Sequence, residues 1–415
     1  MHINRVKVKE LMEKQGIATQ TELAGILGIT KNQLSVILSD KYKPLKSKVE
    51  KLCSVLNVPP SSIIEPEHQQ MMISEMIDPG LLNKNVITAI ELFAGAGGLA
   101  LGLEKAGIRT LEFIEIDKYC CETLRKNRPD WNVSNDDIRN VNFTKYKNNI
   151  DIVTGGFPCQ AFSYAGKKLG FEDTRGTLFY DFARCIKEAE PLIFMAENVR
   201  GLKSHDSGRT LETILNVLSG LGYNVKYEVV NAAYYGVGQK RERLVIIGTK
   251  PGIDFEYPKP NKTMTVLKDV LKDCPISEGQ SYSKKKKEVL EMVPPGGSWV
   301  DLPEDVQKEY MGKSFYSGGG RRGMARRISW NEPCLTLTCS PSQKQTERCH
   351  PEETRPFTVR EYARIQSFPD DWEFSGGIGE KYKQIGNAVP VKLAEKLSLQ
   401  LYNAVTQYKK SLNKN

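Results

Sequence analysis

The chain has 415 residues, of which 40% are hydrophobic and 26% are charged. These proportions are typical of a soluble globular protein with room for more than one domain. The formal net charge of +9 suits a polyanionic partner, although many basic proteins bind nothing acidic. No apolar run is long enough to cross a bilayer and no signal segment opens the chain, so we expect a cytoplasmic protein without a membrane partner.

The nine cysteines do not form CxxC pairs. Without an export signal, their odd number and scattered spacing argue against both a disulfide framework and a zinc site. We therefore expect no metal cofactor.

Residues 1–68 are predicted to form a separate helical DNA-binding domain. Apolar residues recur at helical spacing in VKVKELMEKQG, TQTELAGILG, ITKNQLSVILSD and LKSKVEKLCSVLN. The tight GIT turn between the second and third segments is typical of a helix-turn-helix, and a small bundle without a DNA role is the alternative. Residues 69–85 have no clear period and are predicted to be a linker.

The stretch ELAGILGITKNQLSVIL with its trailing VEKLCSVLNVP resembles the helix-turn-helix of phage-repressor-type regulators. The resemblance implies a recognition helix whose first residues face the major groove: Lys31, Asn32, Gln33 and Ser35. It also implies binding to an operator, with general DNA affinity as the simpler alternative.

From residue 86 the pattern changes to α/β. Apolar, strand-like runs occur in VITAIELF, TLEFIEID, IDIVTGGFP, PLIFMAENV and RLVIIGTK, and helical stretches separate them. This alternation predicts a doubly wound, mostly parallel sheet over residues 86–250. Residues 251–355 are predicted to be a small loop-rich domain, and residues 356–415 return to the α/β domain.

A glycine-rich loop follows the first strand in IELFAGAGG. Its glycines allow a ligand to approach the backbone, and Glu115 and Asp117 end the next strand, where an acid can bind ribose hydroxyls. The loop suits NAD, FAD or S-adenosylmethionine, or it is simply a tight turn, because its spacing departs from GxGxxG.

Four further residues lie at or beside strand ends, where ligand sites form in open α/β sheets. Cys159 follows GGFP, Glu197 follows FMA, and Arg241 and Arg243 precede LVIIG. Each has a structural alternative: Cys159 as a buried thiol, Glu197 as a helix cap or solvated charge, and the arginines as a charged strand entry. QIGNAVP, before the last helix, is interpreted as a tight turn.

In order, FAGAGG, PCQAFS, ENV, QKRER, REYARIQSFP and GNAVP resemble the DNA cytosine-5 methyltransferase family. The resemblance spans residues 86–408 and implies an S-adenosylmethionine-dependent methyltransferase fold in an enzyme of a bacterial restriction–modification system. A nicotinamide-dependent oxidoreductase would not explain PCQ, ENV and QKRER. A transcription factor with an inactive enzyme domain is disfavoured by the intact Cys159 and Glu197.

The resemblance implies a set of S-adenosyl-L-methionine-binding residues: Phe93, Ala94, Gly95, Gly97, Gly98, Glu115, Ile116, Asp137, Ile138, Pro158, Asn387 and Ala388. Glu115 would take the ribose hydroxyls, Ile116 would pack on the adenine and Asp137 would accept from its amino group. Asn387 would close the pocket from the last helix. S-adenosyl-L-homocysteine would be the product.

The resemblance likewise makes Cys159 the nucleophile that adds to C6 of a flipped cytosine. Glu197 would contact N3 and Arg243 would lie near O2, with Arg241 in support. Gln160 and Ser163 would lie in a moving loop that closes on double-stranded DNA.

Residues 251–355 would recognise the target, with Thr336 and Leu337 near the flipped base and Arg321 and Arg322 in a groove. The KKKK run is interpreted as a solvated face or a phosphate contact. A cognate restriction endonuclease would be the system partner. The target sequence, the base that removes the C5 proton and the oligomeric state do not follow from the sequence.

Overall fold

The computed structural model describes residues 2–3, 5–17, 19–39, 46–56, 58, 64–65, 86–158, 178–316 and 323–412. The chain divides into two compact units, Met1–Asn85 and Val86–Asn415. Within the described ranges, no helix is both long and apolar enough to span a membrane.

The smaller unit is built from short helices and one two-stranded antiparallel ladder. Its elements are β1 (His2–Ile3), α1 (Arg5–Lys14), α2 (Gln20–Leu27), α3 (Lys31–Ile37), α4 (Lys46–Val55) and β2 (Ile64–Glu65). Thr19 caps α2, and Gly28 ends it in the left-handed region. Thr30 then opens α3 with a capping box that involves Gln33. The predicted helix-turn-helix is therefore present, and Leu23, Leu34 and Leu52 lie in its core.

The larger unit begins with alternating strands and helices. These are β3 (Thr88–Leu92), α5 (Gly98–Lys105), β4 (Arg109–Glu115), α6 (Lys118–Asn127), β5 (Val133–Asn135), β6 (Ile152–Gly155), α7 (Leu178–Ala189), β7 (Ile193–Val199), α8 (Arg209–Gly220), β8 (Asn224–Asn231), β9 (Gln239–Lys240) and β10 (Glu242–Thr249). Shorter elements follow: α9 (Leu267–Leu271), α10 (Lys284–Glu291), α11 (Glu304–Met311), β11 (Cys334–Leu335), α12 (Val359–Ile365), α13 (Ile378–Asn387) and α14 (Val391–Leu412).

The main sheet has the order β5-β4-β3-β6-β7-β10-β8. Its pairings are parallel from β5 to β7, whereas β10 runs antiparallel to both β7 and β8. The predicted doubly wound, mostly parallel fold is confirmed. Since β10 is reversed, its first residues lie at the same edge of the sheet as the last residues of β7.

Two sequence interpretations differ from the structure. The QIGNAVP stretch is not simply a turn, because α13 continues through Asn387 before α14 starts at Val391. The edge strand β8 is absent from the sequence prediction since only one of its side chains is buried and it lacks a continuous apolar run.

The KKKK run is only partly the solvated face that its sequence suggests. Lys286 lies within 2.6 Å of the buried Glu347 and donates to the Ser342 carbonyl. The Glu347 carboxylate also accepts from the Tyr310 hydroxyl and the Ala325 backbone. A carboxylate in the interior needs such partners, so this lysine is structural.

We predict that Gly102→Ala destabilises the larger unit, although alanine favours a helix. A Cβ at Gly102 would lie 2.4 Å from the Ala394 Cβ and 2.5 Å from its carbonyl carbon, where α5 crosses α14. Overpacking of this kind costs about 1–3 kcal/mol, so the thermal midpoint should fall.

Gly379→Ala is the matched control, because a Cβ there meets nothing within 4 Å in the helical α13. Its midpoint should stay level or rise. Equal midpoints for the two variants would contradict the packing of α5 on α14.

Candidate functional site

The first candidate site is a cavity of about 100 Å³ at the carboxyl ends of β3, β4 and β5. It is lined by five of the residues proposed to bind the cofactor, namely Phe93, Glu115, Ile116, Asp137 and Ile138. Arg139 and Leu178 also line it, and no sequence motif indicates either residue. Phe93 has a φ of 56°, a strained conformation for a side chain of its size.

The Glu115 carboxylate connects the glycine loop to the strand end. It accepts the Gly95 N–H at 2.7 Å through one oxygen and the Asp117 N–H at 2.8 Å through the other. Burial raises the pKa of Glu115, and these backbone donors oppose that rise. Each carboxylate oxygen has a second lone pair, so Glu115 can still accept from a ligand hydroxyl.

The position of Asp117 at a strand end also suggested a ribose contact, but its side chain is engaged within the protein. Its side chain caps α6 by accepting from the Tyr119 and Cys120 backbones, and Lys383 donates to it at 2.8 Å. Asp117 is therefore a helix cap.

The wall of the cavity opposite the glycine loop carries both charge and apolar surface. Asp137 caps the short turn Ile138–Asn140 and is paired with Arg139, which lowers the pKa of Asp137 to about 2. Ile116 is 66% exposed, which is unusual for a large aliphatic side chain at a strand end. This wall suits a flat, partly apolar ligand with a polar edge.

The three glycines of the loop are constrained in different ways. A Cβ at Gly95 would meet nothing within 4 Å, so space is open there for a ligand. At Gly97 it would lie 2.8 Å from Trp372, and at Gly98 it would lie 2.1 Å from the Val389 carbonyl oxygen. Gly97 and Gly98 are therefore required by protein packing.

Trp372 is a site residue that the sequence did not indicate. It is buried, and its indole N–H donates to the Ala96 carbonyl of the glycine loop at 3.1 Å. Ala94 is also buried in the loop, with its N–H bonded to the Ile114 carbonyl. The loop is held from two sides.

Asn387 is not among the residues that line the cavity, and it ends α13 rather than belonging to the last helix. It is exposed, and its side-chain oxygen accepts from the Cys339 thiol at 3.0 Å. Its neighbour Ala388 is buried and packs near Gly98. Asn387 as a cofactor contact remains a prediction.

The second candidate site adjoins the end of the stretch that leads to Cys159. Arg243 lies opposite Val199 in the β7–β10 ladder, and its Nε is 2.6 Å from the Glu197 carboxylate. The other Glu197 oxygen is 3.1 Å from the position of a Cβ on Gly156. The buried Asn198 donates to the Phe157 carbonyl at 2.8 Å. The ENV segment therefore fixes Gly156 and Phe157, and exposed Pro158 is the last described residue before Cys159.

Arg241 does not share the setting of Arg243, although both were expected to point to one face of a strand. Its buried guanidinium donates to the carbonyls of Leu337, Gly386 and Ala388, at 3.2, 2.8 and 3.1 Å. Burial lowers the pKa of Arg241 to about 9, which leaves it charged at neutral pH. It joins β10 to two distant segments of the chain.

A cavity of about 450 Å³ opens beside Arg243 and is lined by Val199, Lys240 and Thr336 among others. Thr336 is half-buried and donates to the Lys240 carbonyl at 2.8 Å. The Leu337 side chain is only 1% exposed and packs in the core, and its place near the flipped base stays a prediction. We refer to this space as the base-side cavity.

Several proposed residues lie outside the described ranges, namely Cys159, Gln160, Ser163, Arg321 and Arg322. The next two arginines after that pair are structural: Arg326 is paired with Glu332, and Arg327 is buried against backbone carbonyls. In the smaller unit, the proposed recognition residues Lys31, Asn32, Gln33 and Ser35 are all exposed on α3. The side-chain oxygen of Gln33 accepts from the Thr30 backbone.

The cysteines of the described ranges contrast with the expected nucleophile. Burial raises the pKa of Cys121 and Cys334 to about 12, and that of Cys274 and Cys349 to about 11. Such thiols are not poised to ionise near neutral pH.

Cavities at the carboxyl edge of a doubly wound sheet are characteristic of the ligand sites of α/β enzymes. The profile of the C-5 cytosine-specific DNA methylases matches residues 87–403. This chain belongs to the C-5 cytosine-specific DNA methylase family. A Cro/C1-type helix-turn-helix DNA-binding domain matches residues 7–69.

Individual relatives agree with this assignment. The Type II methyltransferase M.Sau96I of Staphylococcus aureus is 54% identical over 98% of this chain and 100% of its own length. The Type II methyltransferase M.Eco47II of Escherichia coli is 61% identical over 79% of this chain and 81% of its own. A solved prophage protein of E. coli, described as a DNA modification methyltransferase, is 28% identical over 77% of this chain and 99% of its own, with a TM-score of 0.57.

We predict that Glu91→Gln makes the thermal stability of the protein less dependent on pH as the pH rises. Glu91 is 1% exposed in β3, and burial holds its pKa well above the ordinary value, with the charge of Glu115 adding to the rise. A group with a raised folded-state pKa stabilises the protein below its unfolded pKa, and that stability is lost as pH rises through the folded pKa. The glutamine does not titrate.

Thermal midpoints at pH 5 and pH 8 test this expectation. The thermal midpoint of Glu91→Gln, relative to that of the wild type, should be higher at pH 8 than at pH 5. Glu122→Gln, at an exposed position on α6, is the control and should show no such trend. A pH-independent difference for Glu91→Gln would contradict the account.

Proposed function

We propose that the protein transfers a methyl group from S-adenosylmethionine to C5 of a specific cytosine in double-stranded DNA. The observation that carries the proposal is the pairing of Glu197 with Arg243 beside Gly156, at the sheet edge that leads to Cys159. The names of the relatives support a Type II enzyme of a restriction–modification system, in which methylation protects DNA from a cognate endonuclease.

The cavity beneath the glycine loop fits the adenosine part of S-adenosylmethionine. Glu115 can accept from ribose hydroxyls, exposed Ile116 offers an apolar face to the adenine, and Asp137 offers an acceptor for its amino group. Open space at Gly95 allows close approach to the backbone. When bound, this cofactor supplies an electrophilic methyl group.

Cys159 is proposed to act as the nucleophile, since C5 of cytosine is a weak nucleophile until a group adds at C6. The thiolate sulfur forms a bond to C6, and the electrons of the C5–C6 double bond become available at C5. After C5 is methylated, its proton leaves to solvent and the electrons of the C5–H bond restore the C5–C6 double bond. The C6–S bond breaks, and its electron pair returns to the Cys159 sulfur. The Cys159 thiolate is thereby regenerated, and the enzyme is left unchanged.

Glu197 and Arg243 are proposed to hold the pyrimidine edge. The Arg243 Nε lies 2.6 Å from the Glu197 carboxyl, so Arg243 orients that carboxyl before the base arrives. Glu197, once it has taken a proton from solvent, would donate that proton to N3 while the guanidinium faces O2. Charge that develops on the ring during addition is stabilised at both atoms.

The cytosine must leave the helix to reach these groups. Flipping a base costs a few kcal/mol, and contacts to the extruded nucleotide must offset that cost. The base-side cavity of about 450 Å³ beside Arg243 is the space that we assign to the nucleotide.

The smaller unit is proposed to bind an operator. Its α3 exposes Lys31, Asn32, Gln33 and Ser35, the chemistry that reads base edges in the major groove. The family match to Cro/C1-type domains supports DNA binding by this unit. Repression of its own promoter would couple methylase synthesis to methylase level.

We predict that Cys159→Ser abolishes 5-methylcytosine formation while S-adenosylmethionine binding is retained. A serine hydroxyl is far less ionised than a thiol at neutral pH, so addition to C6 fails, whereas the cofactor cavity is unchanged. Mass spectrometry of digested DNA measures the product, and calorimetry measures cofactor binding.

Cys274→Ser is the control because Cys274 is half-buried and distant in sequence from the proposed site. It should retain activity. Methylation by Cys159→Ser at a rate near that of the wild type would rule out the proposed nucleophile.

We predict that Asn32→Ala removes sequence-specific protection of promoter DNA without changing methylation. DNase footprinting of the full-length protein on the DNA upstream of its own gene measures the first effect. For a dimer, protected half-sites should lie about 34 Å apart, one helical turn. Lys14→Ala, at an exposed position in α1, should preserve the footprint. Uniform weak protection by the wild type would exclude an operator.

A further inference from the structure

We propose that Arg200 and Lys240 form a seat for a backbone phosphate of the target DNA, and that Glu242 holds Arg200 in place until DNA binds. The proposal rests on the proposed function, because it concerns how the base-side cavity takes its nucleotide. Neither residue belongs to the set inferred for the chemical step.

The first observation behind the phosphate site is the set of charged residues around the base-side cavity. Arg200, Lys240, Glu242 and Arg243 all line it. Arg243 is already engaged by Glu197, whereas Arg200 directly follows β7 and donates through Nη1 to Glu242 at 2.7 Å. Lys240 is exposed. Two cationic side chains, Arg200 and Lys240, therefore line the cavity, and the Glu242 carboxylate is paired with the first of them.

The backbone under both cations is rigid. Arg200 begins the turn Arg200–Lys203, anchored by the β7–β10 ladder one residue earlier. Lys240 pairs with Leu335 across the β9–β11 ladder, and its carbonyl accepts from Thr336. Because the backbones of Arg200 and Lys240 are held in place while their charged groups are exposed, these side chains suit contact with a ligand.

The Arg200–Glu242 pair is poorly placed to serve stability. Its side chains are 64% and 42% exposed, and exposed ion pairs contribute little to folding. The contact uses Nη1 of a guanidinium that has five N–H donors. A phosphate can therefore displace Glu242 at small cost and form a two-pronged contact.

The ligand is assigned from the covalent structure of the substrate. A base that enters the base-side cavity remains attached to its sugar and to the phosphates on either side. Those phosphates must lie near the mouth of the cavity, where Arg200 and Lys240 are found. Phosphate contacts fix the register of DNA without reading its sequence.

The test measures KM for DNA, kcat and salt dependence with the full-length enzyme, using plasmid DNA from a host that lacks cytosine methylation. Arg200→Ala and Lys240→Ala should each raise KM about 5- to 10-fold with kcat nearly unchanged. Each should also reduce the slope of log affinity against log salt by about one. Glu242→Gln should act in the opposite direction and lower KM about 2- to 5-fold, because it releases Arg200.

The control pair is Lys147–Glu190, whose atoms are 2.7 Å apart with side chains 53% and 39% exposed. These residues precede β6 and β7, at the edge of the sheet away from the site. Lys147→Ala and Glu190→Gln should leave KM and the salt slope unchanged.

An unchanged salt slope in Arg200→Ala, or a higher KM in Glu242→Gln, would overturn the phosphate seat. A fall in kcat with unchanged KM would also overturn it, since Arg200 would then act in chemistry. Absence of 5-methylcytosine with the wild type would instead refute the proposed function. Binding measured by fluorescence anisotropy would still test the seat in that case.

Discussion

The buried guanidinium of Arg241 is the interaction on which both halves of the site depend. It donates to Leu337 in the segment after β11 and to Gly386 and Ala388 between α13 and α14. Ala388 and Val389 in turn press against Gly98 at the start of α5. A buried charge is stable only with such acceptors, so the three segments are held in one arrangement. The strand that carries Arg243 and the loop that is proposed to hold the cofactor therefore share one support.

The reversed direction of β10 explains how Arg243 reaches the carboxyl edge of the sheet. In a parallel strand, residues that precede the strand lie at the amino edge of the sheet, away from the ligands. Because β10 is antiparallel to β7, its first residues meet the last residues of β7, and Arg243 reaches Glu197. The same reversal brings Glu242 to Arg200. One change of strand direction thus brings opposite charges together beside the base-side cavity.

Much of this site could be predicted from the sequence, because strand ends are visible as apolar runs that stop at charged or small residues. Phe93, Glu115 and Asp137 were placed correctly at one cavity for that reason. Long-range packing has no such signature. Nothing in the sequence indicates that Trp372 contacts the loop at Gly97, or that Lys286 is paired with Glu347. The end of α13 at Asn387 and the burial of Leu337 likewise depend on tertiary contacts that a sequence pattern does not show.

Methyl transfer to C5 of cytosine at a defined DNA sequence is tested most directly by bisulfite sequencing of the whole DNA of cells that express the chain, compared with cells that carry an empty vector. We expect nearly complete 5-methylcytosine at one cytosine of a single short sequence wherever that sequence occurs. Unmodified cytosine throughout, from cells that contain folded protein, would contradict it.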